Sequence, residues 1–294
     1  MTSPEAGVLL SVTMLRPDEK ALLKALRAAD VPVRTALLGD MAQVLAGRTA
    51  PPGLALIRNL SHREAMGVAR RLQLAGVPTL NSAETIEICN DKGLQALLFA
   101  RHSVPHPVSL HAFDYEQVRA AVAELGYPAV LKPVSGSWGR GVTRLCDEGS
   151  VAAWIGGRES ADAAGKLFPV LVQEYIDKPG HDLRVVVVGR TPVVAIQRVS
   201  DDWRTNTHLG AAVRRVEIGD EMRLRCAQVV DALGEGFYGI DLVEDRTTGR
   251  LLVLEVNANP EFARSSAQHG VDVAGLLAAH VAADLRHRAA RPTS

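Results

Sequence analysis

The chain has 294 residues, 47% of them hydrophobic and 22% charged, with a formal net charge of zero. That length supports two or three compact units around one cleft, and the neutral balance gives no general affinity for nucleic acid or an anionic membrane. No apolar run reaches membrane-spanning length, and the start Met-Thr-Ser-Pro-Glu has no basic segment ahead of an apolar core. Cys89, Cys146 and Cys226 show neither metal-ligand spacing nor a disulfide pattern, so a cytoplasmic protein with buried structural thiols is expected.

Residues 8–13 read as a buried strand. A helix follows, with Asp18 and Glu19 in its first turn and Leu22, Leu23 and Leu26 at helical spacing. Residues 31–38 and 54–57 read as further strands, and 61–74 as a helix ended at Ala75-Gly76. This alternation predicts a small α/β layer with parallel strands. Residues 81–100 read as one helical region capped at Asn81 or Ser82, followed by a Pro-rich extended piece over 104–108. A helix over 115–125 closes at Gly126, and strands follow over 128–133, 142–146 and 170–176. From Asp182 the pattern becomes antiparallel: 183–188 and 192–199 flank a short turn, and 238–243 and 251–256 flank another, with a helix over 222–233 between the hairpins. A last helix spans 273–287.

The second hairpin carries the strongest chemical signal. A turn near Thr248 sets Asp241 opposite Glu255, and alternation puts Asn257 on the face of Glu255. Opposed like charges are destabilising, and burying them unpaired is costly. A divalent cation relieves both, and two carboxylates with an amide oxygen suit Mg²⁺; the alternative is an arginine bridging one of the carboxylates. A second signal is Lys132 at the end of a buried strand, followed by Ser135, Gly136, Ser137, Trp138, Gly139 and Gly141, a loop able to bring backbone N–H groups to phosphate oxygens. It is not a Walker A motif, because no Gly-Lys-Ser/Thr closes it before a helix. Residues 172–178 form an apolar strand running into a polar connector, a candidate adenine hinge. Asp182, Arg184, Arg198 and Asn206 form a polar set on the antiparallel strands, with guanidinium forks suited to phosphate or carboxylate oxygens.

These pieces, in this order, resemble the ATP-grasp superfamily over roughly residues 8 to 285. Within it the chain looks like the branch of the glutamate ligase RimK and the lysine-biosynthesis ligase LysX. The carriers of that likeness are Arg16-Pro17-Asp18-Glu19, Cys89-Asn90-Asp91-Lys92, Gly136-Ser137-Trp138-Gly139-Arg140, Lys178-Pro179-Gly180-His181-Asp182-Leu183-Arg184, Trp203-Arg204-Thr205-Asn206-Thr207, and Glu255-Val256-Asn257 followed by Glu261-Phe262. The resemblance implies an α/β (α+β) ATP-grasp fold in three parts. These are an N-terminal pre-ATP-grasp α/β domain over 1–85, a central subdomain with a phosphate-loop lid over 86–176, and a C-terminal antiparallel-sheet subdomain over 177–294.

It further implies that Lys92 and Lys132 hold the ATP phosphates, that the 135–141 loop closes over them, and that Gln173, Glu174, Tyr175 and Ile176, with Asp182, complete the nucleotide site. Asp241, Glu255 and Asn257 would hold Mg²⁺, with Mn²⁺ as a substitute. Arg184, Arg198 and Asn206 would bind the transferred phosphoryl group or the acyl phosphate. The implied partners are an amino acid and a small acidic amino-group carrier protein ending in glutamate, for which Arg214, Arg215 and Arg264 are docking candidates by charge. A dimer or tetramer is common in this branch. Two stretches depart from the pattern: His208-Leu209-Gly210-Ala211 stands where Arg-Gly-Gly is frequent, and Ala258-Asn259-Pro260 follows Asn257. A RimK-like glutamate ligase and a non-catalytic ATP-binding regulator are the alternatives.

Overall fold

The computed structural model describes residues 7–136, 139–159, 167–200, 202–203 and 212–290. Its first sheet contains β1 (Val8–Val12), β2 (Val33–Leu37), β3 (Leu54–Arg58) and β4 (Thr79–Leu80), all parallel, in the order β2-β1-β3-β4. Every residue of β1 and β3 is buried, as parallel strands covered on both faces require. Helices α1 (Pro17–Ala28), α2 (Met41–Leu45) and α3 (His62–Leu74) connect the strands, and α3 is capped by Ser61. Alternation along β1 divides its contacts. Val8, Leu10 and Val12 join a core with Leu22 and Leu26 of α1, and Leu9 joins Val68 and Leu72 of α3.

The helical region after β4 is two helices, α4 (Ala83–Asn90) and α5 (Lys92–Arg101), where the sequence predicts one. Asp91 is extended, with φ −125° and ψ 108°, and its side chain accepts from the N–H groups of Gly93 and Leu94, capping α5. The break is fixed from outside the helix, because Lys92 N donates to Val134 O at 2.8 Å. Lys92 therefore begins a helix beside the glycine loop.

The second sheet contains β5 (Ser109–Ala112), β6 (Ala129–Pro133), β7 (Thr143–Leu145) and β8 (Val170–Glu174), ordered β5-β8-β6-β7. Helices α6 (Tyr115–Leu125) and α7 (Glu148–Glu159) pack on it. The third sheet is antiparallel, β11-β10-β9-β12-β13, from β9 (His181–Gly189), β10 (Thr191–Val199), β11 (Ala212–Val216), β12 (Gly236–Glu244) and β13 (Leu251–Asn257). One face of it packs on α8 (Asp220–Leu233) and α5 through Val185, Val187 and Ile240. The other meets α10 (Val273–Ala289) through Val186, Val188 and Phe237. Helix α10 also covers the first sheet, so Leu277 and Val281 share a core with Val8 and Leu26. A short helix, α9 (Ala263–His269), precedes it. The sequence reading missed α2, β5, β11 and α9.

Three buried side chains tie the segment around β13 to distant parts of the chain. Asn81 accepts from Phe237 N at 2.7 Å and donates to Phe237 O and Ala258 O. Gln95 accepts from Val256 N at 2.7 Å and donates to Val256 O. Asp18 accepts from the N–H groups of Phe262 and Ala263, both at 2.7 Å. Losing such a partner leaves a buried backbone group unpaired, at about 1–3 kcal/mol. No described helix is long and apolar enough to cross a membrane.

Candidate active site

One cavity of about 370 Å³ lies between the second and third sheets and reaches the carboxyl ends of the first. That volume suits a small-molecule site. The described residues singled out from the sequence as catalytic, nucleotide or metal candidates line it, except Gly141 of the loop and Val172 and Asp177 of the hinge. Ser137, Trp138 and Asn206 lie outside the described residues, as does Leu209.

Asp241 and Glu255 are paired in register across β12 and β13, and a bulge follows Asp241. Their like charges are compensated by the protein itself, through the arginine bridge on one carboxylate that the sequence left as the alternative to a cation and a lysine on the other. Asp241 takes a bidentate bond from Arg184, at 2.7 and 2.8 Å, and a contact from Arg198 at 3.1 Å. Arg198 in turn grips Asp182 at 2.6 and 2.8 Å. Strand register explains the lattice: Arg198 stands opposite Asp182, and Arg184 opposite Asp241, with Asp182 and Arg184 two apart on one face of β9. Burial pushes the Asp241 carboxyl up, but Arg184 and Arg198 outweigh it and hold it well below the usual carboxylate range. Burial also opposes the Arg198 charge, and Asp241 and Asp182 overcome that and raise its pKa.

Glu255 is held more loosely. Its side chain is 24% exposed and its ion-pair partner is Lys92 at 3.2 Å. Lys92 Nζ also donates to Gly136 O at 2.8 Å, joining the glycine loop to β13. Gly136 and Gly141 have φ of 128° and 72°, which glycine alone adopts freely. Lys132, at the end of β6, is buried and donates to Gln173 Oε1 at 2.5 Å. Its pKa is pushed down to about 8, first by burial and then by Lys92 and Lys178.

Near the end of β8, Gln173 also donates to Ser109 Oγ at 2.9 Å. The Glu174 carboxylate accepts from Val108 N at 2.7 Å, so it braces the connector. Tyr175 packs against Trp203 with the rings tilted and their centroids 6.3 Å apart, and Arg144 of β7 lies 5.5 Å from the Tyr175 ring. Ile176 and Asn257 complete this part of the lining.

Sequence reasoning assigned no role in the cavity to Arg16, His62 and Trp203, which line it together with Lys178 at the end of the candidate hinge. Arg16, Lys178 and Trp203 stand within quoted motifs, which was the available signal. His62 begins α3, where burial and Lys92 lower its pKa. Arg214 and Arg264 are exposed, and Arg215 donates to His269 O at 2.7 Å. Asp241, Glu255 and Asn257 offer only oxygen donors, in keeping with Mg²⁺, which keeps water and phosphate oxygens in its shell. Among the described residues no cluster of three or more His, Cys, Asp or Glu side chains forms an all-protein metal cage.

Comparison with known proteins agrees with this architecture. The LysX pre-ATP-grasp domain matches residues 7–88, and the RimK-like ATP-grasp domain matches residues 89–281. The chain is 35% identical over 221 residues to the alpha-aminoadipate–LysW ligase LysX of Saccharolobus solfataricus, covering 75% of this chain and 80% of that one. It is 29% identical over 277 residues to the glutamate–LysW ligase ArgX of Sulfolobus acidocaldarius, covering 93% and 97%. Among solved structures, a RimK-domain ATP-grasp protein from Sphaerobacter thermophilus superimposes with a TM-score of 0.74 at 25% identity, over 94% of this chain and 99% of that one. The fold, the converging lysines and the acidic hairpin have a common explanation: the chain belongs to the RimK-like ATP-grasp family.

Proposed function

We propose that this ATP-grasp enzyme is an ADP-forming carboxylate–amine ligase that joins 2-aminoadipate or glutamate to the C-terminal glutamate of a small acidic amino-group carrier protein. The observation that carries the reading is convergence: two lysines, a glycine loop, a polar connector and an acid pair, scattered from residue 92 to residue 257, line one cavity. The relatives named for LysW ligation support the substrate class. Residues 1–85, 86–176 and 177–294 are the proposed units, acting in the cytoplasm, with self-association into a dimer or tetramer.

ATP lies with its base against Tyr175 and Ile176 and its phosphates toward Lys92 and Lys132. Asp241, Glu255 and Asn257 would hold Mg²⁺, or Mn²⁺ in its place, which supplies charge stabilisation at the phosphate oxygens when bound. Glu255, held only by Lys92 at 3.2 Å, would be available to the ion, and Lys92 would then be free to face phosphate. Lys132 is desolvated before substrate arrives, so its charge, set by phosphate, acts in a medium that screens it little. The substrate carboxylate oxygen bonds to the γ-phosphorus, and the bond to ADP breaks with its electron pair leaving on ADP. The amine nitrogen then bonds to the acyl carbon, and phosphate leaves with the bonding pair and takes up the surplus proton. Arg184 and Arg198, fixed by Asp241 and Asp182, stabilise the charge on the transferred group without having to reorganise. Closure of the 135–141 loop keeps water from the acyl phosphate.

The test is mass spectrometry of a carrier candidate incubated with the enzyme, ATP, Mg²⁺ and each amino acid, alongside phosphate release. The expected product is carrier plus one amino acid, with stoichiometric phosphate. Chelation should stop the reaction and added Mg²⁺ restore it, and Glu255→Ala should lower turnover about a thousandfold. Normal turnover by Glu255→Ala would remove the metal assignment. The sequence His208-Leu209-Gly210-Ala211 favours a second reading, a nucleotide-binding regulator; ATP binding without turnover on any acceptor would leave that reading in place.

A further inference from the structure

The first sheet runs β2-β1-β3-β4, so its strand order reverses between β1 and β3. In open parallel sheets, ligands bind in the crevice beyond the carboxyl ends of the strands at such a reversal. Here that crevice opens into the cavity. Asn59 follows β3, and its Oδ1 accepts from Ser11 Oγ of β1 at 2.9 Å, which fixes the amide across the reversal. Asn59 is 2% exposed and lines the cavity, yet its Nδ2 has no hydrogen-bond partner among the described residues.

Asn259 faces it from the segment after β13. Its Nδ2 donates to Asn59 O at 2.9 Å, and its buried Oδ1 likewise has no partner among the described residues. It too lines the cavity. One buried donor and one buried acceptor thus stand unpaired on neighbouring residues, and buried polar groups in native folds are nearly always satisfied. Such a pair complements a ligand that offers an acceptor and a donor together. Arg16 lines the same crevice; Glu19 holds its Nε and Nη2, and its Nη1 pairs with Glu261, whose side chain is 78% exposed and able to give way.

We propose that this crevice seats the incoming amino acid: Asn59 Nδ2 donates to one of its carboxylates, with Arg16 as the counter-charge, and Asn259 Oδ1 accepts one N–H of its amine. The assignment rests on the ligase reading above. It explains why the first sheet is brought against the catalytic units, since it supplies the amine-side wall of the cavity. Holding the amine through an N–H leaves the nitrogen lone pair for the acyl carbon.

Two variants separate recognition from folding. Asn59→Asp keeps the oxygen that Ser11 uses and replaces the donor with an anionic oxygen. Asn259→Ala removes the acceptor. Each is assayed for acyl phosphate, trapped by hydroxylamine with ATP, Mg²⁺ and a peptide ending in glutamate, and for amide formation with glutamate or 2-aminoadipate. The expected result is wild-type hydroxamate formation with the KM for the amino acid raised about tenfold or more. Normal hydroxamate with an unchanged KM overturns the crevice assignment, and so does an equal loss of both activities, which marks a structural role. Absence of hydroxamate from the wild type sinks the ligase reading instead.

Discussion

Arg198 and Arg58 are both buried guanidiniums with carboxylate partners, yet they stand in opposite relations to the cavity. Arg198 lies in its wall, shared between Asp182 and Asp241. Arg58 lies behind it, paired with Glu19 at 3.0 Å, donating to Pro260 O at 3.1 Å and placed 5.6 Å from the rings of Phe237 and Phe262. Burial lowers the Arg58 pKa despite Glu19, whereas two carboxylates raise that of Arg198. A buried arginine–carboxylate pair is therefore not a site marker by itself. What distinguishes the catalytic network is that Arg184, Arg198, Asp182 and Asp241 all border open space, whereas Arg58 and Glu19 lie behind the wall and join chain segments.

Breaking each network should expose the contrast. Arg198→Met leaves Asp182 without its bidentate partner and Asp241 with Arg184 alone. Unfolding by denaturant should show a loss of about 3–5 kcal/mol, with ligation gone.

Lys132→Met should move the two properties in opposite directions. Lys132 loses its proton near pH 8 in the folded chain against 10.5 for an ordinary lysine. Between those values the unfolded state holds one more proton, so wild-type stability rises with pH across the window. The methionine variant should thus be more stable below pH 8 by about 2 kcal/mol: about 3 from the shift, less about 1 for the Gln173 oxygen it leaves. That gain should vanish by pH 10.5, while activity is lost at every pH. A pH series of denaturant midpoints checks the sign.

Arg58→Met should cost about 1–2 kcal/mol, because Glu19 keeps Arg16 at 2.9 Å. At saturating amino acid its folded fraction should turn over as the wild type does, a separation that Arg198→Met should not show. Smallest of all is Arg70→Ala. Its partner is Glu87 and both side chains are about half exposed, so the change in stability should stay within about 0.5 kcal/mol.

The sequence made the strands of the first sheet and both late hairpins legible, because their apolar runs are long and bounded by turns. The facing of Asp241 and Glu255 followed from hairpin register alone. The cations that neutralise them did not, since Arg184 and Arg198 reach Asp241 across strands whose order no local pattern encodes. Strand β11 was invisible for a different reason. Its burial alternates weakly along Ala212–Val216, and Arg214 and Arg215 are both exposed at the edge of the sheet. The helix break at Asp91 depends on Val134, which is distant in sequence. Asp18 and Glu19 read as ordinary acids of a first helical turn, yet both are buried, because Glu19 meets Arg58 at the end of β3 and the partners of Asp18 come from the other end of the chain.

That last bond has a practical corollary for module exchange. Asp18 fastens two amides 244 and 245 positions away, so the opening ninety or so residues and the stretch just past β13 form one unit of inheritance. A chimera that grafts the front end of a relative onto this body should keep its amino-acid preference intact only when the 257–263 segment travels with it.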